Sequence, residues 1–534
     1  MISTGELKLV GLSFLLTSSV PVFAESTKQD PPMVISMAWS SPDTKYLRLH
    51  AEEMDTQPFT GTILYASWPR PDAGGVLMST DTDSLSWAVF KGTRFTDEML
   101  RPAIEDLRET KLTNHKDNFL EVISFLGKGH FNWYDDKRWA TVLHNIEAIS
   151  RVAHKGGLRG ILLDCEEYGC PFWSYGGDRP DYALKQFEEY QGKPAKEVAE
   201  HVRQRGQTFA RALNKGFPGC LVWTLYAYSH VSMPDNVTDI SDAGNGLYAA
   251  FIDGMLEGSD DETIFVDGCE GAYRFSLPGQ FKELRKVVTD KALKYTRVPD
   301  LYKKKIRVGF GLYLDMYNYE NSHPWYGDRP DENYMTPARL DKAIRNAIKI
   351  SDGYVWVYSE YPSWWLTSPE GRFDPGVTAR DDHEWIHSSY WGAVKRGINY
   401  KLLELSSPVK SCSNIALGKP VNGETGVALT DGDSDSRTPQ IAHSIDYTVD
   451  LKGTFHVKTV NLDWGDFGTS GDDIQWELKA LLCNGDSVTL ASGECPNSEE
   501  TTVSVDQANV TKLQIIAKSE KNWIAMDELS AFMD

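Results

Sequence analysis

Residues 160–168 read Gly160-Ile-Leu-Leu-Asp164-Cys165-Glu166-Glu167-Tyr168. A short apolar run breaks off on acidic residues, and that pattern decides how most of the chain is read. Side chains alternate along an extended backbone, so Asp164 and Glu166 face one side and Glu167 the other. Glu167 is therefore expected to be a structural residue. The same grammar, a β-branched or aromatic run closing on polar or charged residues, predicts strands over Val34–Trp39, Gly61–Ser67, Phe119–Leu126, Gly160–Asp164, Cys220–Tyr226, Thr263–Asp267, Ile306–Leu314 and Tyr354–Tyr358.

Amphipathic stretches between these strands predict helices over Tyr46–Met54, Trp139–Ala153, Tyr182–Leu213, Phe281–Leu293 and Pro337–Ile350. Asp43 is placed to cap the first, and Thr336-Pro337 puts proline at the first position of the last. Strands alternating with helices imply parallel βαβ units, and over residues 33–408 they fit a (β/α)8 barrel with elaborated loops. A doubly wound nucleotide-binding sheet would carry Gly-x-Gly-x-x-Gly after its first strand or a phosphate-binding loop, and neither is present. Ser406–Ser413 reads as a linker. Beyond it, over residues 414–534, short alternating runs such as Ser444–Leu451, Val457–Trp464, Ile474–Leu482 and Lys512–Ala517 are punctuated by Gly, Asp and Asn, which predicts an all-β sandwich.

The 534 residues are 41% hydrophobic and 25% charged, a globular composition long enough for more than one domain. Acidic residues outnumber basic ones, 76 to 55, for a formal net charge of −21. Such a surface repels phosphate backbones and anionic lipid heads, so neither nucleic acid nor a membrane surface is an expected partner. A local basic cleft for an anionic sugar stays open. Residues 1–24 combine Lys8, the apolar run Leu9–Leu16, and Val22 and Ala24 at −3 and −1 before Glu25. That is the pattern of a secretory signal peptide, which places the mature protein outside the cell or in the periplasm. No later stretch is long and apolar enough for membrane insertion. Of seven cysteines, Cys483 and Cys495 flank a predicted hairpin and form the expected bridge, whereas Cys165 and Cys269 read as small buried core thiols.

Chemistry in a barrel of this kind sits where strands end and βα loops begin. Four predicted strands end on carboxylates: the fourth on Asp164 and Glu166, the sixth on Asp267 and then Glu270, the seventh on Asp315 and the eighth on Glu360. Paired carboxylates in an aromatic-lined mouth suit cleavage of a glycosidic bond. One carboxyl protonates the leaving oxygen, and a second, ionised, attacks the anomeric carbon or activates water. Neighbouring acids and apolar walls supply the difference in pKa that this division needs. Glu166 is the candidate general acid/base, Asp164 its modulator and Glu270 the second catalytic carboxylate, with Asp315 and Glu360 next in line. Trp39, Trp133, Tyr228, Tyr273 and Trp364 are the candidate sugar-packing aromatics, with Trp68, Trp173, Tyr317, Trp325 and Trp365 also in predicted loops. His130 and His230 follow the third and fifth strands, placed to meet sugar hydroxyls. No Gly-x-Ser-x-Gly is present, so the esterase reading loses ground, and no catalytic cofactor is expected.

Across residues 33–408 the architecture and strand-end acids resemble the (β/α)8 glycoside hydrolase superfamily. Within that span Gly160-Ile-Leu-Leu-Asp164-Cys165-Glu166 is similar to the fourth-strand ending of chitinase-type (family 18) enzymes. There the Glu is the acid and the Asp positions the substrate's N-acetyl group. Leu162 stands where that family places a further Asp, a departure that bears on substrate-assisted catalysis. The C-terminal region resembles the coagulation-factor type C (discoidin-like) sandwich through Asn414-Ile-Ala-Leu-Gly-Lys-Pro420, Leu429-Thr-Asp431-Gly-Asp433-Ser-Asp435-Ser-Arg437-Thr438, Tyr447-Thr-Val-Asp450-Leu and Asp527-Glu528-Leu-Ser-Ala-Phe. The resemblance implies a carbohydrate-binding module with a structural Ca²⁺ held by Asp431, Asp433 and Glu528, oxygen ligands of the kind a hard cation prefers. Together these readings predict an exported glycoside hydrolase acting on a polysaccharide or glycan. A non-catalytic carbohydrate-binding protein on a degenerate barrel is the alternative.

Overall fold

The computed structural model describes residues 31–39, 41–67, 84–177, 180–235, 237, 239–316, 325–360, 362–365 and 385–399, then 415–416, 419–422, 428–430, 443–464, 474–494, 500–520, 524 and 526–533. The signal-peptide and linker segments lie outside these residues, as do Trp68, Tyr317, Asp431 and Asp433. Side-chain placement is likewise not described for Glu528.

Eight parallel strands form a closed barrel. They are β1 Met33–Ala38, β2 Gly61–Leu64, β3 Phe119–Ile123, β4 Gly160–Asp164, β5 Leu221–Thr224, β6 Ile264–Asp267, β7 Ile306–Tyr313 and β8 Tyr354–Ser359. Each pairs with the next, and β8 closes on β1 with Trp356 opposite Ile35. All eight predicted strands are present, most of them shortened by one to three residues. The side chains beyond each strand end turn into the loops that build the mouth.

The barrel interior is a packed core. Trp223 and Trp356 are fully buried, and Gly311 lies opposite Trp356 on the neighbouring strand. A Cβ at Gly311 would sit 2.6 Å from the Trp356 ring, so only hydrogen fits there. Outside, helices cover the strands. The helices Ala195–Gly216 and Gly246–Gly258 approach so closely that a Cβ at Gly254 would fall 1.9 Å from the Arg203 carbonyl.

The helix expected over Tyr182–Leu213 begins only at Ala195 and runs to Gly216. Short 3-10 turns precede it. Gly192 has φ +74° and Pro194 excludes Lys193 from the helical region, so the chain is reset just before the helix starts. Tyr46–Met54 divides at His50 into Thr44–Leu49 and Ala51–Met54. Phe281–Leu293 is a helix over Pro278–Lys286 that widens into a π-turn at Val287–Lys291. The expected caps are present: Asp43 accepts the Tyr46 amide at 2.7 Å, and Thr336 accepts that of Arg339 at 3.2 Å.

The C-terminal region is an antiparallel sheet of five strands in the order β11-β10-β12-β9-β13. These are β9 Ser444–Trp464, β10 Gln475–Leu482, β11 Ser487–Glu494, β12 Glu500–Lys518 and β13 Met526–Phe532. The two strands predicted before Trp464 are one long strand, and the register between β9 and β12 shifts three times over Ser504–Lys512, with bulges that bend the pair. Val449, Val460, Leu462, Leu478, Leu513 and Ile515 give this domain its own core. Lys342, on the helix Pro337–Ile350 of the barrel, reaches Asp463 at 3.1 Å. Cys483 is a free, exposed thiol, and Cys495, the other half of the expected bridge, lies outside the described residues. Cys165 and Cys269 are buried free thiols, as expected.

Candidate active site

Asp164 is the last residue of β4 and is 1% exposed. Its Oδ1 accepts the Glu166 amide at 2.9 Å and its Oδ2 the Tyr168 hydroxyl at 2.6 Å. Tyr168 reaches back because its own backbone is left-handed, φ +38°, which is costly for an aromatic residue and is tolerated where a site needs it. Glu167 turns away: its Oε1 accepts the amides of Phe172 and Trp173 at 2.8 and 2.9 Å and ties down the loop. The sequence expectation for Glu167 holds.

The loop after β6 is built the same way. Asp267 is fully buried and accepts the amides of Ala227 and Ser229, both at 3.0 Å, so it clamps the β5 loop to β6 and is structural. Cys269 is left-handed, φ +43°, and sets Glu270 at the start of a short 3-10 turn. The Tyr273 hydroxyl hydrogen-bonds Glu270. Its ring meets Tyr313 at 5.0 Å and Trp356 at 5.3 Å. From the eighth strand, Glu360 follows Ser359, takes a hydrogen bond from the Tyr358 hydroxyl, and donates its amide to Asp315 Oδ1 at 2.9 Å. Asp315 is 1% exposed and ties the ends of β7 and β8 together.

Strand ends β4, β6 and β8 therefore bring Asp164, Glu166, Glu270 and Glu360 to one rim. Electrostatics show how closely they interact. Burial, with Glu166 and then Asp164 beside it, pushes Glu270 up to about 8. Burial and the Glu166 charge raise Asp164 well above the usual carboxylate range. Glu166 is raised by burial and by Glu360, with the Tyr168 hydroxyl acting against both. Among the described residues no lysine or arginine pairs with these acids. Such a cluster binds protons at neutral pH that isolated carboxylates would have lost.

Sequence reasoning missed a fifth acid, Glu121. It stands in the middle of β3, 1% exposed, and burial with the charges of Asp164 and Glu166 raises it well above the usual range, the Tyr65 hydroxyl acting against them. The signal was present: one charged residue inside the apolar run Phe-Leu-Glu-Val-Ile is rare unless it has a task.

Of the candidate aromatics, Tyr273 and Trp39 reach the mouth. Trp39 packs with Tyr168 at 6.0 Å and Trp87 at 5.8 Å, and Phe125 completes that wall. Trp133, Tyr228 and Trp364 do not join it. Trp133 has no exposed surface, its ring enclosed by Phe131, Trp139 and Trp173. Tyr228 is sealed against Tyr302 and donates to Asp253 at 2.9 Å. Trp364 is wedged between Phe59 and Trp391. These three are core, because the loops carrying them fold back over the barrel wall. Trp173, Trp325 and Trp365 are buried as well. His130 pairs with Glu189 and stacks on Phe187 at 3.5 Å, while His230 is exposed and stacks on Tyr226 at 4.5 Å. Tyr226 in turn is raised by burial and by charges that include Glu270 and Glu166, which places it at the rim. Among the described residues no group of three or more His, Cys, Asp or Glu is arranged to hold a metal ion, and no helix is long and apolar enough to cross a membrane.

The chain is thus a parallel (β/α)8 barrel with an acid-rich mouth, followed by an antiparallel β domain. No family model matches it, and no curated protein matches it. Solved structures do. CpGH89CBM32-4 from Clostridium perfringens is 24% identical over 22% of this chain and 98% of its own, with a TM-score of 0.19. The same module in complex with GlcNAc-α-1,4-galactose gives 22% identity over 24% and 96%, TM-score 0.20. The family 32 carbohydrate-binding module of C. perfringens NanJ, in complex with galactose, gives 18% over 22% and 93%, TM-score 0.19. At such scores the likenesses assign neither an activity nor a ligand to this chain.

Proposed function

We propose that the protein is an exported glycoside hydrolase acting on a polysaccharide or glycan. One observation carries this: Asp164 and Glu166 from β4 and Glu270 from β6 gather at one rim of a closed barrel, largely buried, unpaired with cations among the described residues, and ringed by Tyr168, Tyr226 and Tyr273. A rim that retains protons at neutral pH is an acid waiting for a leaving oxygen. Glu166 and Glu270 hold the working proton between them, with Glu166 as the donor, and Asp164 beneath sets how firmly it is held. Tyr273 and the Trp39 wall offer ring faces to the C–H faces of a sugar. The C-terminal domain is read as a carbohydrate-binding module that raises the local concentration of substrate at the barrel mouth.

The test is release of new reducing ends from a panel of polysaccharides and glycans. Glu166→Gln keeps shape and hydrogen bonding but removes the proton, and a fall in kcat of about 10²–10⁴-fold is expected. A folded wild type that binds glycans and cleaves none would establish the binding-protein alternative instead.

A further inference from the structure

Glu121 does not touch the mouth, yet it belongs to its charge system. Three groups face it: the Tyr65 hydroxyl from just beyond β2, and Asp164 and Glu166 from the end of β4. β3 and β4 pair with Glu121 opposite Leu162 and Ile123 opposite Asp164, so Glu121 lies one layer below Asp164 in the barrel. Its Oε2 is buried with no hydrogen-bond partner among the described residues. Asp164, by contrast, receives a hydrogen bond on each oxygen, from the Glu166 amide and the Tyr168 hydroxyl.

These two environments divide the available charge. A carboxylate with a donor on each oxygen can bear ionisation, and one with an orphaned buried oxygen and no cation cannot. We propose that Glu121 is a positioning residue, a carboxylic acid that stays protonated beneath Asp164, so that every negative charge the cluster acquires falls on the acids of the mouth. As the rim loses protons, Asp164 ionises before Glu121. The interior never competes with the rim for charge, and the proton affinity of Glu166 and Glu270 is set by Asp164 alone among the residues below them. This rests on the hydrolase reading only for its catalytic consequence; the protonation of Glu121 stands by itself.

The experiment compares wild type with Glu121→Gln, a neutral isostere. In infrared difference spectra at neutral pH the variant should lose a protonated-carboxyl carbonyl band; loss of a carboxylate band instead would overturn the proposal. Chemical unfolding across neutral pH gives a second readout. A proton held by folded Glu121 and released on unfolding makes wild-type stability fall with pH by one proton more than that of the variant, and equal slopes would overturn the proposal. Should Glu121→Gln fail to fold, Glu121→Met, apolar and of similar size, carries both measurements. Neither readout needs activity, so an inactive protein would sink the hydrolase reading and leave this one intact. If the protein is active, the basic limb of its kcat/KM profile should stay in place in Glu121→Gln; a downward shift of a unit or more, tenfold in proton affinity, would mean that Glu121 carried charge after all.

Discussion

Glu270 shows what a single side chain can reveal about the site. Its ordinary value is 4.5, and in the folded protein it is pushed up to about 8 by burial and by the charges of Glu166 and Asp164. The folded state therefore holds a proton that the unfolded chain releases. The stability tied to that proton is complete below 4.5 and drains away as pH rises through about 8. Glu270→Gln should flatten this part of the stability curve, measured by urea unfolding at a series of pH values. At this scale the sequence was legible where acids stand at strand ends. Asp164 and Glu166 could be placed on one side from their spacing alone. Glu121 was hidden because a search of strand ends does not look inside a strand. The aromatics were the least legible: Trp39, Trp133 and Trp364 all follow strands, and only the path of each loop decides which ring faces the mouth and which becomes core.

Among elements, every barrel strand was legible, and the misses lie at the ends, where β2, β3 and β5 stop three residues short of the expected length. Each strand is a short run bounded by sharp changes of polarity, and burial on both faces makes most of its residues apolar. Helices were read less well. Tyr182–Leu213 looked continuous by its periodicity, but Gly192 and Pro194 interrupt it, and tertiary packing rather than pattern fixes where the 3-10 turns lie. The helix Gly246–Gly258 gives little signal in the sequence, since it is buried on nearly every side and shows little amphipathic contrast. Strand packing inside the barrel makes its own prediction. Gly311→Ala would push a methyl into the Trp356 ring, whose Nε1 donates to the Gly268 carbonyl at 2.8 Å and so resists moving. A loss of about 1–3 kcal/mol is expected on overpacking, checked by thermal or chemical unfolding. Because Trp356 also touches Tyr273, the same substitution should disturb the mouth.

On the scale of the whole molecule, there are two cores of different architecture, and Lys342 of the barrel pairs with Asp463 of the C-terminal domain. Lys342 is 26% exposed and Asp463 12%, so their ion pair is better shielded than a surface pair. Lys342→Ala leaves Asp463 half-stranded and should cost about 1–2 kcal/mol in unfolding experiments, more than exposed pairs usually contribute. The two-part organisation was readable from the change of texture after residue 414, since a switch from alternating strands and helices to short strands alone cannot be accommodated in one barrel.

The buried cysteines have a practical bearing of their own. Cys165, Cys170, Cys220 and Cys269 all lie along the arc of the barrel from β4 to β6, and every one is sealed from solvent. An alkylating reagent can reach them only after that stretch of wall has parted. The protein thus carries a built-in gauge of breathing on the flank that supports Glu166 and Glu270, while the exposed Cys483 reacts at once and serves as its internal standard.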